Sequence, residues 1–198
     1  MPAKPGERKL QILQVLAEML ENPRAERITT AALAAKLDVS EAALYRHFAS
    51  KAQMFEGLIE FIEQTLFGLI NKLTAEEKDG LRQIDGILSL LLGFAKKNPG
   101  MTRVLIGDAL VNENDRLQVR INQLHDRLEA TLKQALRFAA GEQEITSGLD
   151  TAAQANLLMC YVTGRWHQFA KSGFKRDPLE YWEAQRRELL SGGNNRGN

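Results

Sequence analysis

Residues 28–48 read ITTAALAAKLDVSEAALYRHF, and this stretch decides the fold. Its apolar residues recur at the spacing that two short crossed helices, predicted over 30–36 and 41–47, need to share a small core. A sharp turn is required at Leu37 and Asp38, where glycine is the usual residue and Asp is among the better tolerated alternatives. Core spacing, turn and helix lengths together predict a helix-turn-helix.

The polar residues of this stretch fall on one side of the predicted motif. Ser40 is a good N-cap for the second helix, which would lie in the major groove. Tyr45, His47 and Lys51 are predicted to grip the phosphate backbone, whereas base-edge contacts would select sequence. Two amphipathic helices without a ligand are the alternative, but turn, cap, core and polar face all agree with DNA binding. The residues predicted to contact DNA are Arg27, Thr29, Thr30, Ser40, Glu41, Ala42, Tyr45, Arg46, His47 and Lys51.

The rest of the chain indicates an all-α protein, because apolar residues recur at helical spacing and prolines are few. A disordered arm is predicted over 1–7 and a disordered tail over 191–198. We predict a DNA-binding domain at 8–52 and a helical body for dimerisation and partner binding at 53–190. Beyond the motif, helices are predicted over 8–21, from Ser50 to about 78, and over 79–97, about 100–108, 113–137 and 150–171. A loop is predicted over 139–149. The first turn of the last predicted helix holds Pro178.

Composition and the scarcity of reactive residues exclude several classes of protein. An apolar fraction of 44% with 26% charged residues is typical of a globular chain, and no apolar run reaches the length of a membrane span. The start lacks the apolar block of a signal peptide, and Cys160 as the single cysteine suits a reducing cytosol. The three histidines lack ligand spacing, and no phosphate loop or nucleophile elbow is present. No metal, cofactor or enzymatic activity is therefore predicted, and the net charge of +1 gives no indication about nucleic acid.

Two features of the body favour contact surfaces. Phe61 lies about 120° from the centre of the apolar stripe of its helix, and Leu90, Gly93 and Lys97 lie beside the stripe of the next helix. Off-stripe aromatic residues are either covered by a neighbouring element or available to a partner, and the pattern leaves both open. Small residues mixed with large ones in the last two helices favour close packing across a two-fold axis, although the large ones could equally fill the core of a single chain, and both can hold. Such a dimer would hold two headpieces about 34 Å apart on a palindrome.

Residues 28–51, ITTAALAAKLDVSEAALYRHFASK, resemble the DNA-binding headpiece of TetR-type regulators, whose ending Leu44-Tyr45-xx-Phe48-xx-Lys51 is characteristic. Within that group, four blocks in order resemble the bacterial nucleoid-occlusion factors. They are SEAALYRHF (40–48), FEGLIEFIE (55–63), LLLGFAKKNPGMTRVLIGDAL (90–110) and DRLQVRINQLHDRLEATLKQALR (115–137). The resemblance spans about residues 8–190 and implies a TetR-like all-α fold, with a three-helix headpiece and a helical body.

This resemblance implies a cytoplasmic, nucleoid-associated homodimer that binds palindromic chromosomal sites in double-stranded DNA. In its DNA-bound form such a protein engages the cell-division protein FtsZ and keeps division rings from assembling over the nucleoid. The positions that match the family's site for the FtsZ C-terminal tail are Phe61, Leu90, Gly93, Lys97 and Asn98. Leu69 departs from the family pattern, in which an arginine is expected. A ligand-responsive transcriptional repressor of the TetR family, with a pocket in the body, is the alternative function.

Overall fold

The computed structural model describes residues 5–22, 28–142 and 150–190. Every regular element within these ranges is helical, so the predicted all-α class is confirmed. No helix in the same ranges is both long and apolar enough to cross a bilayer. The helices are α1 (Pro5–Leu20), α2 (Thr30–Lys36), α3 (Glu41–Tyr45), α4 (Lys51–Glu76), α5 (Gly80–Lys97), α6 (Pro99–Leu105), α7 (Asp115–Gly141), α8 (Thr151–Lys171) and α9 (Trp182–Leu190), with a 3₁₀ turn at Asp108–Leu110.

The start of α1 differs from the prediction. Residues 5–7 were expected in the disordered arm, but α1 begins at Pro5. Proline is suited to the first turn of a helix, and the acidic Glu7 lies in that turn, where the helix dipole favours a negative charge. The rest of the predicted arm and the predicted tail, 1–4 and 191–198, lie outside the described residues.

Two later boundaries also differ. α7 continues to Gly141, past the predicted start of a loop at 139, because Ala139 is fully buried and packs closely on Gly80. The last helix begins at Trp182 rather than near Pro178. Tyr181 adopts a φ of 66°, which interrupts right-handed helical backbone just before Trp182.

The described residues belong to two compact units. The first unit takes its residues from Met1–Gln64 and Asn98–Asn122, and the second from Thr65–Lys97 and Gln123–Asn198. α4 and α7 each contribute residues to both units. This division of the chain differs from the predicted domains 8–52 and 53–190.

In the first unit, α1 packs on α2 and α6, and α2 packs on α3. The α1–α6 contact depends on Gly100, because a Cβ there would overlap the carbonyl oxygen of Ala17. Arg103 of α6 donates to the carbonyl oxygens of Leu20 at 3.2 Å and Asn22 at 3.1 Å, and also pairs with Asp108 at 2.8 Å. The guanidinium therefore satisfies carbonyl groups at the end of α1 that the helix itself leaves open.

The second unit is built around α5, on which α8 and α9 pack. Two indoles fix these contacts. The fully buried Trp166 donates to the Leu91 carbonyl oxygen at 3.1 Å, and Trp182 donates to the Ser89 hydroxyl at 2.8 Å. Both indole N–H groups are thus satisfied in the interior, as burial requires. The apolar stripe predicted for α5 is confirmed, since all of its members are buried: Ile84, Ile87, Leu88, Leu91 and Ala95.

Candidate DNA-binding and partner-binding surfaces

The turn between α2 and α3 has the geometry that the sequence predicts. Asp38 has a φ of 54°, in the left-handed region. The amide of Val39 donates to the Ala34 carbonyl oxygen at 3.0 Å, and that of Asp38 donates to Ala35 at 3.1 Å. This pair of hydrogen bonds is a Schellman motif, which ends α2 and turns the chain toward α3. The predicted core of the motif is largely confirmed, with these side chains buried: Ile28, Leu33, Ala34, Leu37, Leu44 and Phe48.

Two of the predicted DNA contacts also cap helices. The Thr29 hydroxyl oxygen accepts from the Ala32 amide at 3.1 Å at the start of α2, and Ser40 accepts from the Ala43 amide at 3.3 Å at the start of α3. Each cap satisfies one amide that the helix leaves open. Both residues are exposed, so their hydroxyl groups also face solvent.

A hydrogen-bond chain joins three other candidates across the motif. The Thr30 hydroxyl donates to Glu41 Oε2 at 2.5 Å, and the Tyr45 hydroxyl donates to Thr30 Oγ1 at 3.5 Å. Tyr45 remains 45% exposed, and Ala42 of α3 and Arg46, which follows α3, are also exposed. The structure therefore brings the candidates of α2 and α3 onto one polar surface.

The remaining DNA candidates are placed differently. His47 is half-buried just after α3, and Arg27 lies outside the described residues. Lys51, the first residue of α4, pairs with Glu113 in the segment before α7, and only 19% of its side chain is exposed. Its ammonium group is therefore already partnered by a carboxylate. No local sequence signal predicts this pair, because 62 positions separate the two residues.

Three of the predicted partner-binding residues share a face of α5. Leu90, Gly93 and Lys97 are spaced by three and four positions, which places them on one side of the helix. Gly93 borders open space, since a Cβ built there meets no atom within 4 Å. Lys97 is exposed and Leu90 half-buried. Phe61 and Asn98, the other two, belong to the first unit and are half-buried.

Leu69 and Leu90 lie on the rim of an open pocket of about 400 Å³ in the second unit. Periodicity predicts Leu69 within the buried stripe of α4, but the side chain is 47% exposed. Leu66 and Ile70 on either side of it are buried, so the stripe itself persists, and Leu69 is exposed because no neighbouring element covers that position. The other lining residues are Lys72, Leu73, Glu76 and Glu77.

Phe67, a half-buried aromatic residue of α4, contacts a neighbouring helix. The guanidinium carbon of Arg127 on α7 lies 4.1 Å from the centre of its ring, a cation–π contact within the second unit. The pairing could not be read from helical periodicity, which describes one helix at a time.

One face of α8 combines small and apolar exposed residues. Leu157 is 51% exposed, and Cys160 is an exposed thiol one turn further along. Ala153 and Gly164 continue the same face at spacings of three or four residues, and a Cβ built on Gly164 meets no atom within 4 Å. All four positions are exposed among the described residues of the second unit.

Comparisons with known families and proteins agree over nearly the whole chain. A model of the tetR family of bacterial regulatory proteins matches residues 14–58, and one of the SlmA-like tetracyclin repressor-like C-terminal domain matches 78–192. A nucleoid occlusion factor SlmA of Alteromonas mediterranea is 57% identical over 186 residues, covering 93% of this chain and 95% of the relative. A nucleoid occlusion factor SlmA of a Marinomonas species is 50% identical, and the match covers 93% of this chain and 94% of the relative.

Solved structures share the fold at low identity. The FadR regulator of Bacillus subtilis, solved with stearoyl-CoA, has a TM-score of 0.76 at 16% identity, covering 92% of this chain and 98% of that one. The TetR-family regulator PfmR of Thermus thermophilus has a TM-score of 0.75 at 22% identity, with the same coverages. The predicted TetR-like fold is thereby confirmed. The two family models and the similar relatives point to the same family. The chain therefore belongs to the SlmA family of nucleoid occlusion factors within the TetR family.

Proposed function

We propose that the protein is a nucleoid-occlusion factor of the cytoplasm. As a homodimer it binds palindromic chromosomal sites, and in this DNA-bound form it binds the C-terminal tail of FtsZ. Division rings then fail to assemble over the nucleoid. The observation that carries this proposal is the 57% identity over 93% of the chain to a protein named for this role. An alignment over 93% of the chain includes both the headpiece and α5, the two surfaces that the function requires.

The polar surface of α2 and α3 supports DNA binding. Its exposed side chains lie on a motif whose turn and caps are formed by the protein alone. A preformed motif does not need to order its backbone when it binds, which saves conformational entropy. We assign Tyr45 and His47 to phosphate and Arg46 to a base edge in the major groove.

The exposed face of α8 supports dimerisation. This face presents one large apolar side chain, Leu157, among three small residues, Ala153, Cys160 and Gly164. Small residues let two helices approach closely, and a two-fold axis presents the same face from both copies. We propose that α8 packs against α8 of a second copy. A dimer of this kind presents two headpieces to the two halves of a palindrome.

The exposed face of α5 supports binding of an extended acidic tail. Open space at Gly93 leaves room for a peptide backbone, Leu90 offers an apolar contact, and Lys97 supplies positive charge. Such a surface suits a segment with apolar anchors and carboxylates. Phe61 and Asn98, which the family resemblance adds to the tail-binding positions, belong to the first unit and stay predictions.

The deciding experiment measures binding of a fluorescent FtsZ C-terminal tail peptide, with and without a palindromic duplex recovered by selection. We expect the duplex to strengthen binding of the peptide, and Gly93→Glu to abolish it, because a carboxylate there repels the acidic tail. Gly141→Glu is the matched control, since Gly141 is also an α-helical glycine with open space around it. Tight duplex binding without any peptide binding would contradict the proposal and favour a ligand-responsive repressor.

A further inference from the structure

The ion pair between Lys51 and Glu113 is shielded from solvent. Only 19% of the lysine side chain and 7% of the glutamate side chain are exposed. The Lys51 ammonium also lies 5.7 Å from the centre of the Phe55 ring, and Phe55 is itself buried. All three residues belong to the first unit. The Lys51 charge is thus neutralised by Glu113. Low exposure to water strengthens the attraction between the ammonium and the carboxylate.

Two pairs that join α4 to α7 within the same unit are more exposed than the pair of Lys51. Arg116 pairs with Glu56 at 2.7 Å and Arg120 with Glu63 at 3.1 Å. Both arginine side chains are about half exposed, at 51% and 45%. These two pairs are therefore open to screening by salt, whereas the pair of Lys51 is screened much less.

DNA affinity depends on how many phosphates the protein neutralises. Each lysine or arginine that contacts a phosphate releases condensed counterions, and this release sets how steeply affinity falls with salt. A lysine that remains paired with a buried carboxylate releases none. Lys51 stands at the position where the headpiece pattern calls for a phosphate contact, so the pair with Glu113 removes one expected contact from each protomer.

We propose that Glu113 withholds the Lys51 ammonium from the DNA backbone, and so sets the sequence-independent part of the affinity. Glu113 acts as a positioning residue that needs no contact with DNA. This inference rests on the proposed DNA-binding function. Its consequence is a lower affinity for DNA of arbitrary sequence. That affinity also depends less steeply on salt than the headpiece sequence predicts.

A double-mutant cycle on the full-length protein tests the inference. Binding of wild type, Lys51→Gln, Glu113→Gln and the double variant is measured over a series of salt concentrations, on the selected palindrome and on a scrambled duplex. We expect Glu113→Gln to tighten binding to both duplexes by about threefold to tenfold per protomer and to steepen the slope of log K against log salt by about 0.9 per protomer. Lys51→Gln in the wild-type background should leave the salt slope unchanged. In the Glu113→Gln background it should abolish the gain in affinity and the steeper slope.

Glu56→Gln is the matched control, because it removes one acidic charge from the neighbouring pair without touching Lys51. Its slope should equal that of wild type. A second measurement does not depend on the stability of the lysine variants. The rate at which acetic anhydride acetylates Lys51, with release of acetate, is read by mass spectrometry and should be low in wild type and raised in Glu113→Gln. An unchanged slope in Glu113→Gln, or an equal loss from Lys51→Gln in both backgrounds, would overturn the inference. Failure of the wild-type protein to bind either duplex would instead overturn the proposed function, and this inference with it.

Discussion

The Thr30 hydroxyl donates a hydrogen bond of 2.5 Å to the Glu41 carboxylate, which joins the first residue of α2 to the first residue of α3. This bond commits the threonine proton to a partner in the protein. It also holds a negative charge on the surface that we assign to DNA. The carboxylate therefore either repels phosphate or accepts a hydrogen bond from a base.

Glu41→Gln separates these two roles. If the carboxylate only repels phosphate, its removal should strengthen binding to the palindrome and to a scrambled duplex by a similar factor, on the order of 1 kcal/mol at low salt. Fluorescence anisotropy on both duplexes measures this. Glu18→Gln is the control, because Glu18 is an exposed acid whose partner is Lys36. Weaker binding to the palindrome alone would show that Glu41 reads a base.

Sequence specificity should depend on Arg46 and not on Tyr45 or His47. The Tyr45→Ala, His47→Ala double variant should weaken binding to every duplex, because phosphate contacts are independent of sequence. Arg46→Ala should cost about 1–3 kcal/mol on the palindrome and relax the preference at one base pair. Competition against a library of single-base variants measures both effects. Undiminished affinity in the double variant would contradict the phosphate assignment.

Gly100→Ala should destabilise the protein, because its Cβ would overlap the carbonyl oxygen of Ala17 and force α6 away from α1. We expect a loss of about 1–3 kcal/mol in the free energy of unfolding, as for other overpacked sites. Urea denaturation measures it. Gly93→Ala is the matched helical glycine with open space, and it should instead gain about 0.5–1 kcal/mol from helix propensity. Equal effects of the two substitutions would contradict the close contact.

Leu157→Glu should convert the proposed dimer into monomers, because it places a charge at the centre of the exposed α8 face. Sedimentation velocity measures the oligomeric state. Val119→Glu is the control, since Val119 of α7 is similarly exposed, at 53% against 51% for Leu157. A Leu157→Glu protein that remains dimeric would exclude this face as the interface.

Asp150 should make the stability of α8 sensitive to acid. The amides of Ala153 and Ala152 donate to its carboxylate at 3.1 Å and 2.9 Å, and these bonds hold the pKa of Asp150 below its ordinary value. A lowered pKa in the folded state stabilises the protein at neutral pH, and this stabilisation is lost as the pH falls through the lowered value. The difference in Tm between wild type and Asp150→Asn should therefore shrink toward acidic pH. A difference that is constant with pH would contradict the charged cap.

The helix-turn-helix was predictable from sequence because its determinants are local. The spacing of Leu33, Leu44 and Phe48 defines the core, and Asp38 is one of the few residue types that accept a left-handed turn. Cap and turn bonds span at most five residues, within reach of pattern reasoning.

The pairings between distant helices were not predictable in the same way. Glu113 and Arg127 occupy ordinary polar positions in the sequence, and only the fold brings them to Lys51 and Phe67. The exposure of Leu69 is similar, because the neighbours that cover a helix face do not follow from the period of that helix alone. The positive φ of Tyr181 has no local signal either, since tyrosine seldom adopts it.

Arg103 gives the first unit a particular order of assembly. Its guanidinium meets the Leu20 carbonyl from 83 positions later in the chain, and the whole of α5 separates the two parts of the unit. A growing polypeptide therefore cannot complete the end of α1 until α6 has left the ribosome, by which time α5 has already been synthesised. A fragment that stops at Gln64 would lack this closure, so the headpiece should mature only after translation has passed well into the second unit.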